Sequence, residues 1–265
     1  MPAVGAIGYR RIPMRSAKQL KHETPYPRPS RDSVALTDSA KDEAMTREEA
    51  LALYHPIRAS VRRILSAAIS VCNQSDLMRA ANQLGLRVEG KISLPEGDQA
   101  AEMLADVALF EPNQLGRRAF DVFLASKVRQ LDAADFALAQ RMGKAFFSLF
   151  RCTARHGIAG VWLEDQLDRN RRLWLMDEGM EASAPTKGVF GMRLFDAGEF
   201  HVGFGIVVPS DEETTEFSVQ GVTRNGRVPF RHSLAVTLYG DSLCGSTPLS
   251  PGLEEKTPSL PRLRG

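Results

Sequence analysis

The sequence predicts an α+β fold: an N-terminal helical bundle, then a small antiparallel five-stranded, barrel-like sheet with C-terminal helices. Three observations carry this prediction. Apolar residues recur at helical spacing from Thr46 to about Phe150. After Phe150 the spacing becomes alternation, and short apolar runs are punctuated by Gly157, Gly160, Gly179, Gly188 and Gly198. From Ser210 onward, helix-start signals return.

The first helix opens on Thr46-Arg47-Glu48-Glu49, a capping-box pattern. Pro56 either divides it near His55 or kinks it. Beyond it Ile57, Val61, Ile64, Leu65 and Ala68 form one apolar face, with Arg58, Arg62 and Arg63 off that face. Ser75 is expected to cap a second helix that stops at Gly85. Gly90, Pro95 and Gly97 mark a loop with a short extended piece over 87–92. Helices follow over 98–110, ended by Pro112, and over 117–124. Asp132 caps a longer one, whose Leu138, Met142, Ala145, Phe146 and Leu149 keep helical spacing.

Strands are expected over 151–155, 161–165, 172–176, 189–195 and 200–208, the last bent at Gly203 and Gly205. Ser210-Asp211-Glu212-Glu213 opens a helix carrying Phe217 that Gly221 breaks, and a last helix covers 230–239 after Pro229. The resulting division is a helical region over 46–150 and a β unit with closing helices over 151–240. Residues 1–44 hold five prolines and no apolar periodicity, and 241–265 alternate proline with small and charged residues; both read as disordered. Met45 is accordingly a candidate start.

The charge balance, 34 basic against 32 acidic residues, gives only +2 and supplies no bulk attraction to nucleic acid or anionic membrane. Cys72, Cys152 and Cys244 are dispersed and odd in number, as free thiols of a reducing compartment are. No run approaches the length of a membrane span. Arg10-Arg11 is followed by polar and basic residues rather than the apolar stretch of an export signal. A cytoplasmic, soluble protein with no membrane association is the expectation.

Several runs resemble a conserved uncharacterised family of bacterial proteins: Val161-Trp162-Leu163-Glu164-Asp165, Trp174-Leu175-Met176-Asp177-Glu178-Gly179, Gly191-Met192-Arg193-Leu194-Phe195-Asp196-Ala197-Gly198, and Gly203-Phe204-Gly205-Ile206-Val207-Val208-Pro209. The resemblance extends over about residues 45–243 and includes Pro229-Phe230-Arg231-His232-Ser233-Leu234. That family carries no assigned activity, so the resemblance implies a bacterial setting and no catalytic residues.

No motif names a reaction, and no cofactor or metal is implied. The histidines lack ligand spacing, so a centre built from His156, His201 and Asp177 would rest on the fold alone. Cys152 and His156 stand four apart on an expected strand, about 13 Å along it, too far for a nucleophile and its base. Gly203-Phe204-Gly205 leads into a strand rather than a helix, unlike a phosphate-binding loop.

The favoured expectation is a non-catalytic interaction or regulatory protein with a protein partner. The first alternative is a nucleic-acid-binding β-barrel module in which Trp174 stacks on bases beside Arg171 and Arg172, with Arg169 near and Trp162 on the neighbouring strand. Acidic Asp165, Asp168, Asp177 and Glu178 in the same stretch oppose it. The second alternative is an enzyme with a polar cleft between helices and sheet, formed by Glu164, Asp177 and His201; it requires at least two of them to converge. The competing explanation for such acids is ordinary strand-end charge.

Overall fold

A computed structural model of the chain describes residues 45–95, 98–127, 131–183, 188–226 and 233–245. The expectations for 1–44, for the start of the last helix at Phe230 and for the tail beyond Gly245 lie outside these residues.

Helix α1 (Arg47–Ser70) begins at the Thr46 capping box, in which the Thr46 hydroxyl accepts from the Glu49 backbone and the Glu49 carboxylate accepts from the Thr46 backbone. The helix continues through Pro56, because Tyr54 before it and Val61 and Ile64 after it are buried in one core. Tertiary burial outweighs the one backbone bond that proline removes. Helix α2 (Gln74–Gln83) is capped by Asn73 rather than Ser75. The Asn73 side chain accepts from the Asp76 backbone, two residues earlier in the chain than the expected cap. The extended piece is a two-stranded hairpin, β1 (Arg87–Val88) and β2 (Lys91–Ile92). Glu89 and Gly90, both at positive φ, form its turn. Helices α3 (Asp98–Phe110), α4 (Ala119–Lys127) and α5 (Ala133–Met142) follow, α5 capped by Asp132 as expected.

Strand β3 (Phe146–Arg155) starts five residues before the expected change of period. Phe146 to Phe150 is apolar on both faces, so its spacing fits a helix or a buried strand. Leu149 packs into one core and Phe150 into another, which only the strand permits. Next come β4 (Val161–Asp165), β5 (Arg171–Leu175), a short helix α6 (Glu178–Ser183), β6 (Val189–Asp196) and β7 (His201–Ser210). Helix α6 was not expected; Asp177 starts it by accepting from the Met180 backbone. Helix α7 (Glu212–Asn225) runs through Gly221 and stops at left-handed Gly226. Interior glycine weakens a helix by only about 1 kcal/mol, too little to end it. Helix α8 (Leu234–Gly245) extends past Tyr239.

The five longer strands pair in the cyclic order β3-β4-β5-β7-β6, with β6 returning to β3. The sheet is mixed rather than all antiparallel. β5 meets β7 in parallel through the single pair Leu175 and His201, and the other contacts are antiparallel. Between β5 and β7 the chain passes through α6 and β6, and β7 is the antiparallel partner of β6. One core includes Phe150, Val161, Leu163, Leu175, Phe190 and Leu194. A second joins α1, α4 and α5 to Trp174, Phe195 and Val202. A third joins α2, α3 and α8 to Leu149, Ile206 and Val208. Met180 of α6 joins the first of these, so helix and strand residues share all three cores. Among the described residues, no helix is long and apolar enough to cross a membrane.

Candidate functional site

The residues expected to bind nucleic acid do not form a platform. Trp174 is 7% exposed and packs in the core between α1 and the sheet. Its indole N–H donates to the Ala159 carbonyl at 2.7 Å. The His156 ring stacks on it at 3.9 Å with planes 9° apart. A base has no face of Trp174 to reach. Trp162, opposite Trp174 across the hairpin, is half-buried, and the Arg172 guanidinium lies over its ring at 4.0 Å. Arg172 thus covers the face a base would use, and it is paired across the strands with Glu164. Arg171 is held by Asp168 at 3.0 Å. The arginines are engaged locally, each beside an acid.

The three residues of the expected polar cleft are not brought together either. Glu164 stands near the turn end of the β4–β5 hairpin, whereas Asp177 follows β5 beyond its other end. Asp177 is half-buried and caps α6. His201 sits at the parallel contact with β5; burial lowers its pKa, while Asp196 pulls the other way. Only Asp177 of the three lines a cavity described below. Asp165, a neighbour expected at a solvent edge, is 2% exposed. It accepts from the Ser148 hydroxyl and from the Leu167 backbone, closing the β4–β5 turn. Burial raises its pKa, and the bond from Ser148 opposes the rise.

Cys152 and His156 are separated by more than distance. The register of β3 against β4 shifts between Cys152 and Ala154, a bulge that reverses which face the following residues take. Cys152 therefore points into the strand ring, and His156 packs outside it on Trp174. Burial pushes the Cys152 thiol up, away from thiolate. Among the described residues, no three acidic, histidine or cysteine groups cluster as metal ligands would.

The open surface instead lies between α1, α3 and β7. A cavity of about 740 Å³ there has Leu65 and Ile69 of α1, Leu109 and Phe110 of α3, and Phe204 and Ile206 of β7 as its apolar lining. The charged residues differ in sign between the helices. α1 contributes Arg58 and Arg62, one turn apart. α3 contributes Asp98 and Glu102, also one turn apart, with buried Asp106 one turn further. Arg58 is fixed, donating to the Gly203 carbonyl at 2.9 Å, whereas Arg62 is exposed. Gly205 beside Arg58 has φ +98, a backbone conformation that favours glycine. A second hollow of about 530 Å³ shares Arg58, Arg62 and Gly205 and continues to Tyr54, Asp177 and Glu178. Burial, reinforced by Asp177, pushes the Tyr54 pKa up to about 12. The two hollows adjoin at Arg58, Arg62 and Gly205, and the larger forms a groove between α1, α3 and β7.

Beneath this groove is a buried ionic group that the sequence reading passed over. Arg193 of β6 is 5% exposed and donates to both Asp106 oxygens, at 2.9 and 3.1 Å, and to Glu111 at 2.8 Å. Tyr239 of α8 donates to Asp106 at 3.2 Å. The guanidinium also lies near the Phe110 and Phe147 rings. Burial raises the Asp106 pKa, against the opposing pull of Arg193. The signal for this network was present: a single arginine inside the apolar run 189–195 must find buried partners. The groove's own arginines were visible as residues off the apolar face of α1, but not what they face.

The model of a family of unknown function, DUF7986, matches residues 48–223. The comparisons with curated proteins and with solved structures give no match.

Proposed function

We propose that this chain, which belongs to the family of unknown function DUF7986, is a non-catalytic interaction protein that binds a protein partner in the groove between α1, α3 and β7. The observation that supports this best is the groove's composition. Its lining is aliphatic and aromatic, and its charges sit on α1 and α3, the pattern of a surface that excludes water at the centre and selects at the rim. Tyr54 and Asp106, the acidic groups at its walls whose pKa values are shifted, are both shifted toward the neutral form by burial. The Tyr54 hydroxyl therefore stays protonated near neutral pH, and Asp106 is held beneath the groove by Arg193 and Tyr239.

The test compares tagged wild type with Ser66→Trp, which fills the groove from an exposed position, and with Arg172→Ala, which lies outside it. Each is used to recover partners from the source organism. A protein recovered by wild type and Arg172→Ala but lost with Ser66→Trp is the expected result. Equal recovery by all three overturns the proposal.

A further inference from the structure

Resting on that groove proposal, we infer that the partner element is an amphipathic helix with an apolar stripe, acidic residues along one flank and basic residues along the other.

The groove is formed by two helices and a strand, and its linear extent along α1, from Arg58 to Ile69, is about 17 Å at the rise of an α-helix, three turns. A helix lying there presents one side to the floor, where half-buried Leu65, Ile69 and Phe204, backed by buried Leu109 and Ile206, meet apolar side chains at i, i+3, i+4 and i+7. An added strand is a poorer fit. β7 is paired with β6 along its length, and on its other edge His201 pairs with Leu175 and the Gly203 carbonyl already accepts from Arg58.

The charges then decide the flanks. A helix bound between α1 and α3 has one flank against Arg58 and Arg62 and the other against Asp98 and Glu102. Arg58 is held by Gly203, so its charge is fixed in place before binding. Arg62, Asp98 and Glu102 are exposed, and their charges act across the rim at a few ångströms, inside the screening length of physiological salt. Asp106, one turn beyond Glu102, is buried and held by Arg193 and Tyr239, so the acidic wall rests on Asp98 and Glu102. A partner flank of a single sign meets one attractive and one repulsive wall. A partner with opposite flanks meets two attractive walls, and the same pattern fixes its direction in the groove.

The probe is a fluorescein-labelled helical peptide of about 18 residues. It carries leucines on one stripe, glutamates on one flank and lysines on the other. Three controls keep the length: both flanks glutamate, both flanks lysine, and the leucines replaced by serine. Anisotropy with the full chain is expected to give about tenfold tighter binding for the mixed-flank peptide than for either single-sign peptide. The advantage should shrink on raising salt from about 0.05 to about 0.5 M. The serine control should not bind. In Arg62→Glu, an exposed change, the preference should move to the peptide with both flanks lysine.

Absence of binding by all the peptides, equal binding of the three leucine peptides, or an unchanged order in Arg62→Glu overturns the inference. Its failure is distinct from failure of the groove proposal. If the peptides fail while Ser66→Trp still abolishes recovery of the partner, the groove stands and the helix does not. If Ser66→Trp changes nothing, the groove itself fails.

Discussion

Replacing Arg193 by methionine isolates the buried ionic group. The change keeps an unbranched side chain of similar length but removes the guanidinium that donates twice to Asp106 and once to Glu111. Asp106 then retains only the Tyr239 hydroxyl, and Glu111 loses its ion-pair partner. Removing one member of a buried pair costs about 3–5 kcal/mol, because the remaining charge stays desolvated. Against a typical domain stability of about 5–15 kcal/mol this is a large share. The cost also depends on pH in a definite direction. Burial already raises the Asp106 pKa and Arg193 opposes the rise, so removing Arg193 raises it further. A carboxyl whose pKa is higher folded than unfolded contributes stability below its unfolded value, about 4, and loses it as pH rises through the folded value. The deficit of Arg193→Met relative to wild type should therefore be smaller at about pH 5 than at about pH 8. Urea unfolding followed by far-UV circular dichroism measures it. A triple variant adding Asp106→Asn and Glu111→Gln should recover part of the loss, since it leaves no buried charge. A loss under about 1 kcal/mol at pH 8, or a deficit equal at both pH values, would refute the assignment of the network as a coupled buried charge group.

Other changes test the packing around it. Trp174→Phe removes the indole donor to Ala159 and should cost about 1–3 kcal/mol in urea unfolding, as a buried carbonyl is left unpaired. Gly160→Ala puts a methyl group onto the Leu175 carbonyl oxygen at φ +76 and should lower stability by at least ~2 kcal/mol by the same measurement. Thr46→Ala deletes the capping-box hydroxyl and should cost ~1 kcal/mol, read as a lowered thermal midpoint.

The parts legible in the sequence were those set by neighbours along the chain. The Thr46 box, the Asp132 cap and the Val61-Ile64-Ala68 stripe all appear where local spacing and side-chain chemistry put them. The limits of β4 were read correctly for the same reason, since its alternation is unambiguous. Phe146 to Phe150 was misassigned because a segment buried on both faces has no distinguishing period. Trp174 was offered as a surface ring because tryptophan beside arginine has that appearance in one dimension. The Ala159 carbonyl and the His156 ring that bury it come from the preceding turn. Spacing already separates Cys152 from His156 along β3, but the bulge that also turns them to different faces is not visible in spacing along one strand.

By itself the sequence determined a mixed α+β chain, its helix starts, most of its strands and the near-balance of its charge, because capping, periodicity and composition act over a few residues. Only the tertiary structure decided which charges matter. Arg193 meets Asp106 across 87 positions, and Arg58 meets Gly203 across 145. The arginines of α1 and the acids of α3 line one cavity together with Phe204 and Ile206 of β7. Distant pairings of this kind are fixed by how the apolar faces of helices and sheet fit together. A groove with walls of opposite charge is a property of that fit rather than of any stretch of chain.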